Sequence, residues 1–477
     1  MDNLYQKLKD NLTPSQTGVI DYEGEHSRYQ INNNKGSKIL IKNIHFLFTC
    51  DEAEKLQAHQ NYSIAIKDGT IIEAGVADTI KSENFDIIYD AGKRGGTVVT
   101  PGFINTHAHP PMYLMRSAMM LDEGEGIDET IAAMPSWERA MTDEDFTISA
   151  IGDLSEQQKY GITATLSHYN CFYPIEYAAT LTKQNLINAI SVVSNAHPEN
   201  SPELIKQLLP EIKKAHSKLA IALHYPHKAT AEILDKVKKL IEDNNLLFTC
   251  HFAESEQVAQ TCVENHGLRE TALLEKYGLL NKNTILSHAI HVNDEEIKKL
   301  IKNKVGISHL PTSNTIHKSG VFPFWKFYDN GGREFITLGT DGVVSKSRLD
   351  LLTESYQTRI THLYDRTVKF GSLFKMMTVN AARVLNMPDR GRIIKGQKAD
   401  LVFWKLRDRG TIPYDESNPM TILGNIITHG GRVVRDLMIN GQFVIKNRRH
   451  QLIDETKLLS ELQEHHMKMR ERVVKQK

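Results

Sequence analysis

Between residues 98 and about 385, short apolar runs alternate with helix-patterned stretches, and this rhythm constrains the fold more than any other feature. The expected strands span residues 98–106, 162–167, 187–193, 219–223, 246–250, 284–286, 305–307 and 335–339. Helical periodicity fills the gaps, as over residues 203–216, 231–244 and 294–302. Strands that alternate with helices pair in parallel, and eight of them predict a closed (β/α)8 TIM barrel, an α/β fold. An open doubly wound sheet is the competing arrangement. No glycine-rich phosphate loop follows the first run, and the count favours closure.

The barrel is assigned to residues 98–388, and strand texture returns on both sides of it. Residues 39–48 and 62–67 are β-like, and Asp68-Gly69 after the second run is a hairpin signal. Residues 400–404 and 433–444 have the same texture. Segments 37–97 and 389–450 are therefore expected to build one small flanking β-sandwich domain from both ends of the chain. Residues 1–36 read as a polar arm with a short helix near residues 4–12. Residues 451–477 read as a C-terminal helix docked through Leu459, Leu462, His466, Met469 and Val473.

Composition excludes several classes of partner. Lys plus Arg and Asp plus Glu each number 58, so the formal net charge is zero. That balance predicts no nucleic-acid partner and no membrane-surface partner. The four cysteines show no short paired spacing and read as reduced thiols of a cytoplasmic protein. The first residues lack an apolar signal-like core, and no apolar run approaches the length of about 18 residues that a membrane span needs.

Chemistry is expected where the C-terminal strand ends of a barrel converge. The first run closes as Thr100-Pro101-Gly102-Phe103-Ile104-Asn105-Thr106-His107-Ala108-His109. Residues two apart on a strand share a face, so His107 and His109 project together. The fifth run delivers His251, with Glu254 three residues further on; the sixth delivers His288 and the eighth Asp341. Singly, each could be a hydrogen-bonded rim residue. Gathered at four strand ends around one mouth, they describe a metal site. Three neutral imidazoles and a carboxylate suit Zn²⁺, with Fe²⁺ or Mn²⁺ as alternatives, and leave a position for water. A divalent ion can lower the pKa of that water from 15.7 to roughly 7.

The ordered segments PGFINTHAH, HFAE, SHAIH, SHLPTSN and LGTDG resemble the amidohydrolase superfamily. They are most similar to the branch of chlorotriazine hydrolases, guanine deaminase and adenosine-type deaminases, and the resemblance covers about residues 38–450. It implies one divalent metal ion, held by His107, His109, His251 and Asp341, with Glu254, His288 and Asp341 as catalytic residues. Asp341 would take a proton from the attacking water, Glu254 would protonate a ring nitrogen, and His288 would orient the nucleophile and steady the oxyanion. The implied activity is that of a metal-dependent aminohydrolase, releasing ammonia from a small nitrogen heterocycle. Expulsion of chloride or an alkylamine, or opening of a cyclic amide, is the same-site alternative. A catalytically dead scaffold would have lost ligands, and all six residues are present. The arm and the terminal helix suggest a homo-oligomer, a dimer or larger.

Binuclear members of the superfamily carry a carboxylated lysine at the end of strand four. Here that end reads Ala222-Leu223-His224-Tyr225-Pro226-His227-Lys228, with the lysine beyond a proline, so a mononuclear site is expected. His224 and His227 are candidates for the substrate pocket, as are His168 and His309 at the ends of strands two and seven. His291 follows His288 closely, and Asn314 is expected to fix the loop after strand seven. Met112, Met115, Arg116, Met119 and Met120 could cover a flat substrate or pack as a helix. The acidic segment 122–129 reads as a lid or a solvated loop, and His465 and His466 as unrelated to the metal.

Overall fold

The computed structural model describes residues 2–14, 36–93, 95–118, 126–192, 200–345, 348–430 and 434–476. Eight parallel strands form the central sheet: β1 (Phe103–Ala108), β2 (Ile162–Tyr169), β3 (Asn185–Ser191), β4 (Lys218–Leu223), β5 (Leu247–Phe252), β6 (Thr284–His288), β7 (Gly306–His309) and β8 (Ile336–Leu338). They are hydrogen-bonded in sequence order. A parallel bridge between Ala108 and Asp341 brings the last strand back to the first. The Thr340 and Asp341 N–H groups both donate to the His107 carbonyl at 3.1 Å. Closure of the barrel and placement of two candidate ligands are therefore one event. Helices cover the outside, so β2 and β3 are buried along their whole length, including the polar residues that alternate with apolar ones in both. Reciprocal caps start two of those helices, Thr142 with Asp145 before Asp143–Lys159 and Asn293 with Glu296 before Asp294–Lys302.

The run expected as one strand over residues 98–106 is two strands in two sheets. Thr97–Pro101 pairs with Lys38–Cys50 and Leu401–Lys405 in the flanking sheet, and β1 starts at Phe103. Between them, a Cβ on Gly102 would lie 2.1 Å from Thr163 Oγ1, so only glycine fits where the chain passes from one sheet to the other.

The flanking sheet joins nine strands from both ends of the chain in one hydrogen-bonded network. Its core gathers Ile41, Leu47, Ile64 and Val99 from one flank with Phe403 and Met438 from the other. Each such side chain contributes about 1.5–3 kcal/mol by leaving water. The expected hairpin is present: Lys67 pairs with Thr70, and Asp68 and Gly69 take φ of 51° and 72°, as a two-residue primed turn requires.

The C-terminal helix spans Glu455–Lys475 and buries Leu458, Leu462, His465, Met469 and Val473. This corrects the expected stripe, since Leu459 is 64% exposed. The helix is rotated so that His465 Nδ1 meets Asp145 Oδ1 at 2.7 Å, while Arg472 bonds the other oxygen of the same carboxylate. His466 Nδ1 donates to the Leu114 carbonyl. The helix Asp2–Leu12 places Leu8 and Leu12 in the same apolar cluster as Leu458 and Leu462. The remainder of the polar arm, residues 15–35, lies outside the described residues. Among the described residues, no helix is long and apolar enough to cross a membrane.

Candidate active site

Three of the strand ends at the barrel mouth turn sharply. Ala253 after β5, His288 and Ala289 at the end of β6, and Asp341 after β8 have φ of 45°, 71°, 52° and 60°. This is the left-handed region, costly for residues with a Cβ and found where a structure over-determines the backbone. The over-determination is visible. The Ala253 N–H donates to Glu270 Oε2 at 2.7 Å, and the Ala253 carbonyl accepts from Ile290 and His291. At the last strand, a Cβ on Gly339 would lie 2.6 Å from Ser308 Oγ and 2.8 Å from the His107 Cβ, so the glycine lets Thr340 and Asp341 close against β1.

His107, His109, His251 and Asp341 are all buried, and their ligand atoms lie within 4.8 Å of one another. Each imidazole is oriented from behind. His109 Nδ1 donates to the His168 carbonyl at 2.6 Å, and His251 Nδ1 donates to the His224 carbonyl at 2.8 Å. Both rings therefore present an unprotonated Nε2 to the centre, the form that binds a metal. His107 Nδ1 donates to Ser287 Oγ at 2.7 Å, leaving its Nε2 buried without a hydrogen-bond partner. Asp341 Oδ2 accepts from Ser313 Oγ at 2.5 Å and Ser345 Oγ at 3.1 Å, and its Oδ1 sits 3.1 Å from His109 Nε2 and 3.7 Å from His107 Nε2.

This donor set fits a divalent cation. The bare Nε2 atoms of His109 and His251 stand 3.3 Å apart, where two lone pairs repel, and a cation between them removes that repulsion. Burial and the neighbouring imidazoles hold His107 and His251 well below the ordinary histidine pKa, so both stay neutral.

Glu254 and His288 flank the cluster. Glu254 is buried, accepts from the Tyr225 hydroxyl at 2.5 Å and has Oε1 3.5 Å from His288 Nε2. Burial raises its pKa above the usual carboxylate range. The His288 Nδ1–H donates to Asn314 Oδ1 at 2.8 Å, which turns Nε2 toward the centre. Above these groups opens a cleft of about 880 Å³, including open solvent. Its far wall comes from the helix Ile127–Glu138.

All six residues expected at the mouth are brought together. His224 and His168 line the cleft, and each also supplies the carbonyl that orients a candidate ligand. The other candidates take varied places. His309 does not line the cleft; its Nε2 faces His362 Nε2 at 3.2 Å, beside Phe322 and Phe324. His227 stacks on Tyr225, and His291 Nε2 donates to the Ser319 carbonyl. Asn314 orients His288 as well as the loop. Of the methionine-rich segment, Met112 lines the cleft, Met115 joins the core and Arg116 pairs with Glu156, while Met119 and Met120 lie outside the described residues. Residues 122–125 of the acidic segment also lie outside them, and its continuation begins the helix that walls the cleft. Tyr225, Ser287, Ser313, Ser345 and Glu138 went unnoticed in the sequence. Tyr225 and Ser287 adjoin His224 and His288, and that adjacency was the available signal.

Comparison with known proteins places this architecture. Residues 98–444 match the model of the Amidohydrolase family, and the chain belongs to that family. It is a hydrolase acting on carbon–nitrogen bonds other than peptide bonds. The chain is 30% identical over 411 residues to a 5-methylthioadenosine/S-adenosylhomocysteine deaminase of Pyrococcus furiosus, covering 83% of this chain and 93% of that protein. It is 29% identical over 423 residues to a 5'-deoxyadenosine deaminase of Methanosphaera stadtmanae, covering 82% and 96%. The crystal structure of a zinc-complexed atrazine chlorohydrolase from Arthrobacter aurescens superposes with a TM-score of 0.79 at 21% identity, covering 90% of this chain and all of that one, and supports the fold.

Proposed function

We propose that this protein is a zinc-dependent aminohydrolase that deaminates an adenine nucleoside altered at its 5' position. The observation that carries the reading is the buried Glu254 carboxyl, with its raised pKa, set beside four convergent ligand atoms at the floor of the cleft. Burial favours the protonated form of this carboxyl, the form that can deliver a proton to a ring nitrogen. The substrate class draws support from the two deaminase relatives, each aligned over more than four-fifths of this chain.

His107, His109, His251 and Asp341 would hold a divalent ion, which would supply Lewis acidity toward water at neutral pH. Asp341, steadied by Ser313 and Ser345 on Oδ2 and by the Gly342 N–H at 2.8 Å on Oδ1, turns Oδ1 toward the centre, where its remaining lone pair would accept the proton that water loses on attack. Glu254 protonates the ring nitrogen next to the amine-bearing carbon, so charge does not accumulate there. His288, held by Asn314, orients the attacking water. Return of a proton to the amine releases ammonia and leaves a ring carbonyl. The four cysteines are free thiols, which fits a reducing, cytoplasmic setting.

The test is ammonia release by zinc-loaded protein from 5'-deoxyadenosine, 5'-methylthioadenosine and an aminotriazine, before and after chelation. We expect release from an adenine nucleoside, loss of activity on chelation and recovery with zinc. Release from none of them by protein carrying one equivalent of zinc would overturn the deaminase reading and favour another leaving group.

A further inference from the structure

The deaminase reading leaves the lysine that lines the cleft without a task. Lys228 ends the short turn Pro226–Lys228 after β4 and lines the cleft. Its ammonium donates to His224 Nδ1 at 2.8 Å. Among the described residues, no carboxylate lies within 4 Å of it. The carboxylate of the cleft wall that bears on it, Glu138, gives Oε1 to the Tyr169 hydroxyl at 2.6 Å. Lys228 is thus a half-buried cation whose hydrogen-bond partner is neutral. Cations taken out of water are ordinarily paired, and one left unpaired in a binding cleft points to a counter-charge on the ligand.

Its location says which part of a ligand it would meet. The His224 carbonyl orients His251, the two rings lie 5.1 Å apart, and the Lys228 ammonium bonds the same imidazole at Nδ1. The ammonium is therefore linked to the ligand cluster through one imidazole, and on the deaminase reading it would meet a substituent of the heterocycle rather than the reacting carbon. Tyr169, Asn170, Ser191 and Glu138 line the same cleft. Because Lys228 donates to Nδ1, His224 keeps its own proton on Nε2, so both groups are donors. A cation and an N–H donor side by side accept an anion better than a neutral or basic group.

We propose that Lys228 is a specificity-determining residue that selects substrates bearing an acidic oxygen group, a carboxylate or a phosphate, on the substituent attached to the heterocycle. This rests on the deaminase reading of the same cleft and refines its substrate class. The neutral nucleosides of the preceding test would then be turned over at a higher KM than acid-bearing ones.

The experiment measures Kd by calorimetry and ammonia release by enzyme assay, on zinc-loaded wild type, Lys228→Met and Lys228→Arg. The probes are 5'-deoxyadenosine, adenosine 5'-carboxylate, adenosine 5'-monophosphate and adenosine 3'-monophosphate. We expect at least one acid-bearing probe to bind the wild type tenfold or more tightly than 5'-deoxyadenosine. Lys228→Met should erase that preference through KM, and Lys228→Arg should restore most of it. The carboxylate and phosphate arms identify the acid. Equal or tighter binding of the neutral probe by wild type would overturn the proposal. So would a uniform loss across all probes in Lys228→Met, which would mean that the lysine merely props His224. Preferential binding of an acid without ammonia release would keep Lys228 in this role and reject the deaminase reading; release without preference would do the reverse.

Discussion

The Asp436 carboxylate in the flanking sheet and the imidazoles at the barrel mouth are all buried, and they meet the cost in opposite ways. In the sheet, Asp436 accepts from the Tyr89 hydroxyl at 2.5 Å and Arg435 Nε at 3.0 Å on one oxygen, and from the Asn447 N–H at 2.7 Å on the other. Both oxygens are occupied by the chain itself. At the mouth, His107 and His288 leave Nε2 buried with no hydrogen-bond partner. A buried polar atom without a partner costs roughly 1–3 kcal/mol, so a cluster of them facing one point persists only if something outside the chain completes it. Satisfied burial is architecture, and convergent unsatisfied burial is a site.

Two substitutions should break the molecule along that line. Glu254→Gln keeps the size of the side chain and removes the deliverable proton. We expect it to retain one equivalent of zinc, hold its thermal midpoint and lose about 10²–10⁴-fold in kcat. Near-wild-type turnover would remove Glu254 from the mechanism. Asp436→Asn should do the opposite, leaving Arg435 as a buried charge without its carboxylate. Breaking a buried pair of this kind costs about 3–5 kcal/mol, to be read in a denaturant titration, while kcat per folded molecule should stay at the wild-type value. A variant of Asp436 that lost activity but not stability would erase the distinction between the two regions.

A smaller effect is expected where the terminal helix docks. Asp145 accepts from His465 and Arg472, and although burial works the other way, these bonds hold its pKa below the ordinary carboxylate value. A depressed carboxylate contributes stability that is present above its unfolded pKa of about 3.8 and is lost as the pH falls through the folded value. His465→Leu should therefore lower stability at pH 7 by about 1 kcal/mol and by less at acid pH, where part of that contribution is already lost, so the variant should be less acid-sensitive than the wild type, and equal acid sensitivity in both proteins would deny the link. Circular dichroism at pH 3 and pH 7 decides it.

Which parts of this structure were legible follows from the same physics. His107, His109, His251, His288 and Asp341 stand at strand ends, where apolar runs stop and polar residues start, so local pattern locates them. Ser287, Ser313 and the carbonyls of His168 and His224 act on those residues across neighbouring strands and loops, and register between strands is not written in either segment alone. The passage of residues 97–108 from one sheet to another was hidden for a related reason: an apolar run looks the same in whichever sheet it is buried. His309 sits at a strand end like the rest, yet packs against Phe322 and His362, because position along a strand does not fix which face a terminal residue takes. The terminal helix was misread by one residue where Leu458 and Leu459 are adjacent, and the bond from His465 to Asp145, far away in sequence, decides between them.

Glu270 tests whether an unpartnered buried atom must always belong to a site. Its Oε2 holds the left-handed Ala253 N–H, its Oε1 has no hydrogen-bond partner, and it does not line the cleft. Burial pushes its carboxyl up to about 8 from an ordinary 4.5, with the Ala253 N–H pulling the other way. Keeping the proton would spare the chain a buried charge there without any ligand. Between about pH 4.5 and 8 the folded protein holds that proton and the unfolded chain has released it, so stability must fall as pH rises through this window and level off above it. Glu270→Gln keeps an acceptor for Ala253 and removes the titration. Its thermal midpoint should fall less than that of the wild type between pH 5 and pH 8, by about 2 °C or more. Parallel profiles would mean that Glu270 is ionised in the folded state, and its free oxygen would then need a partner of the kind His107 awaits.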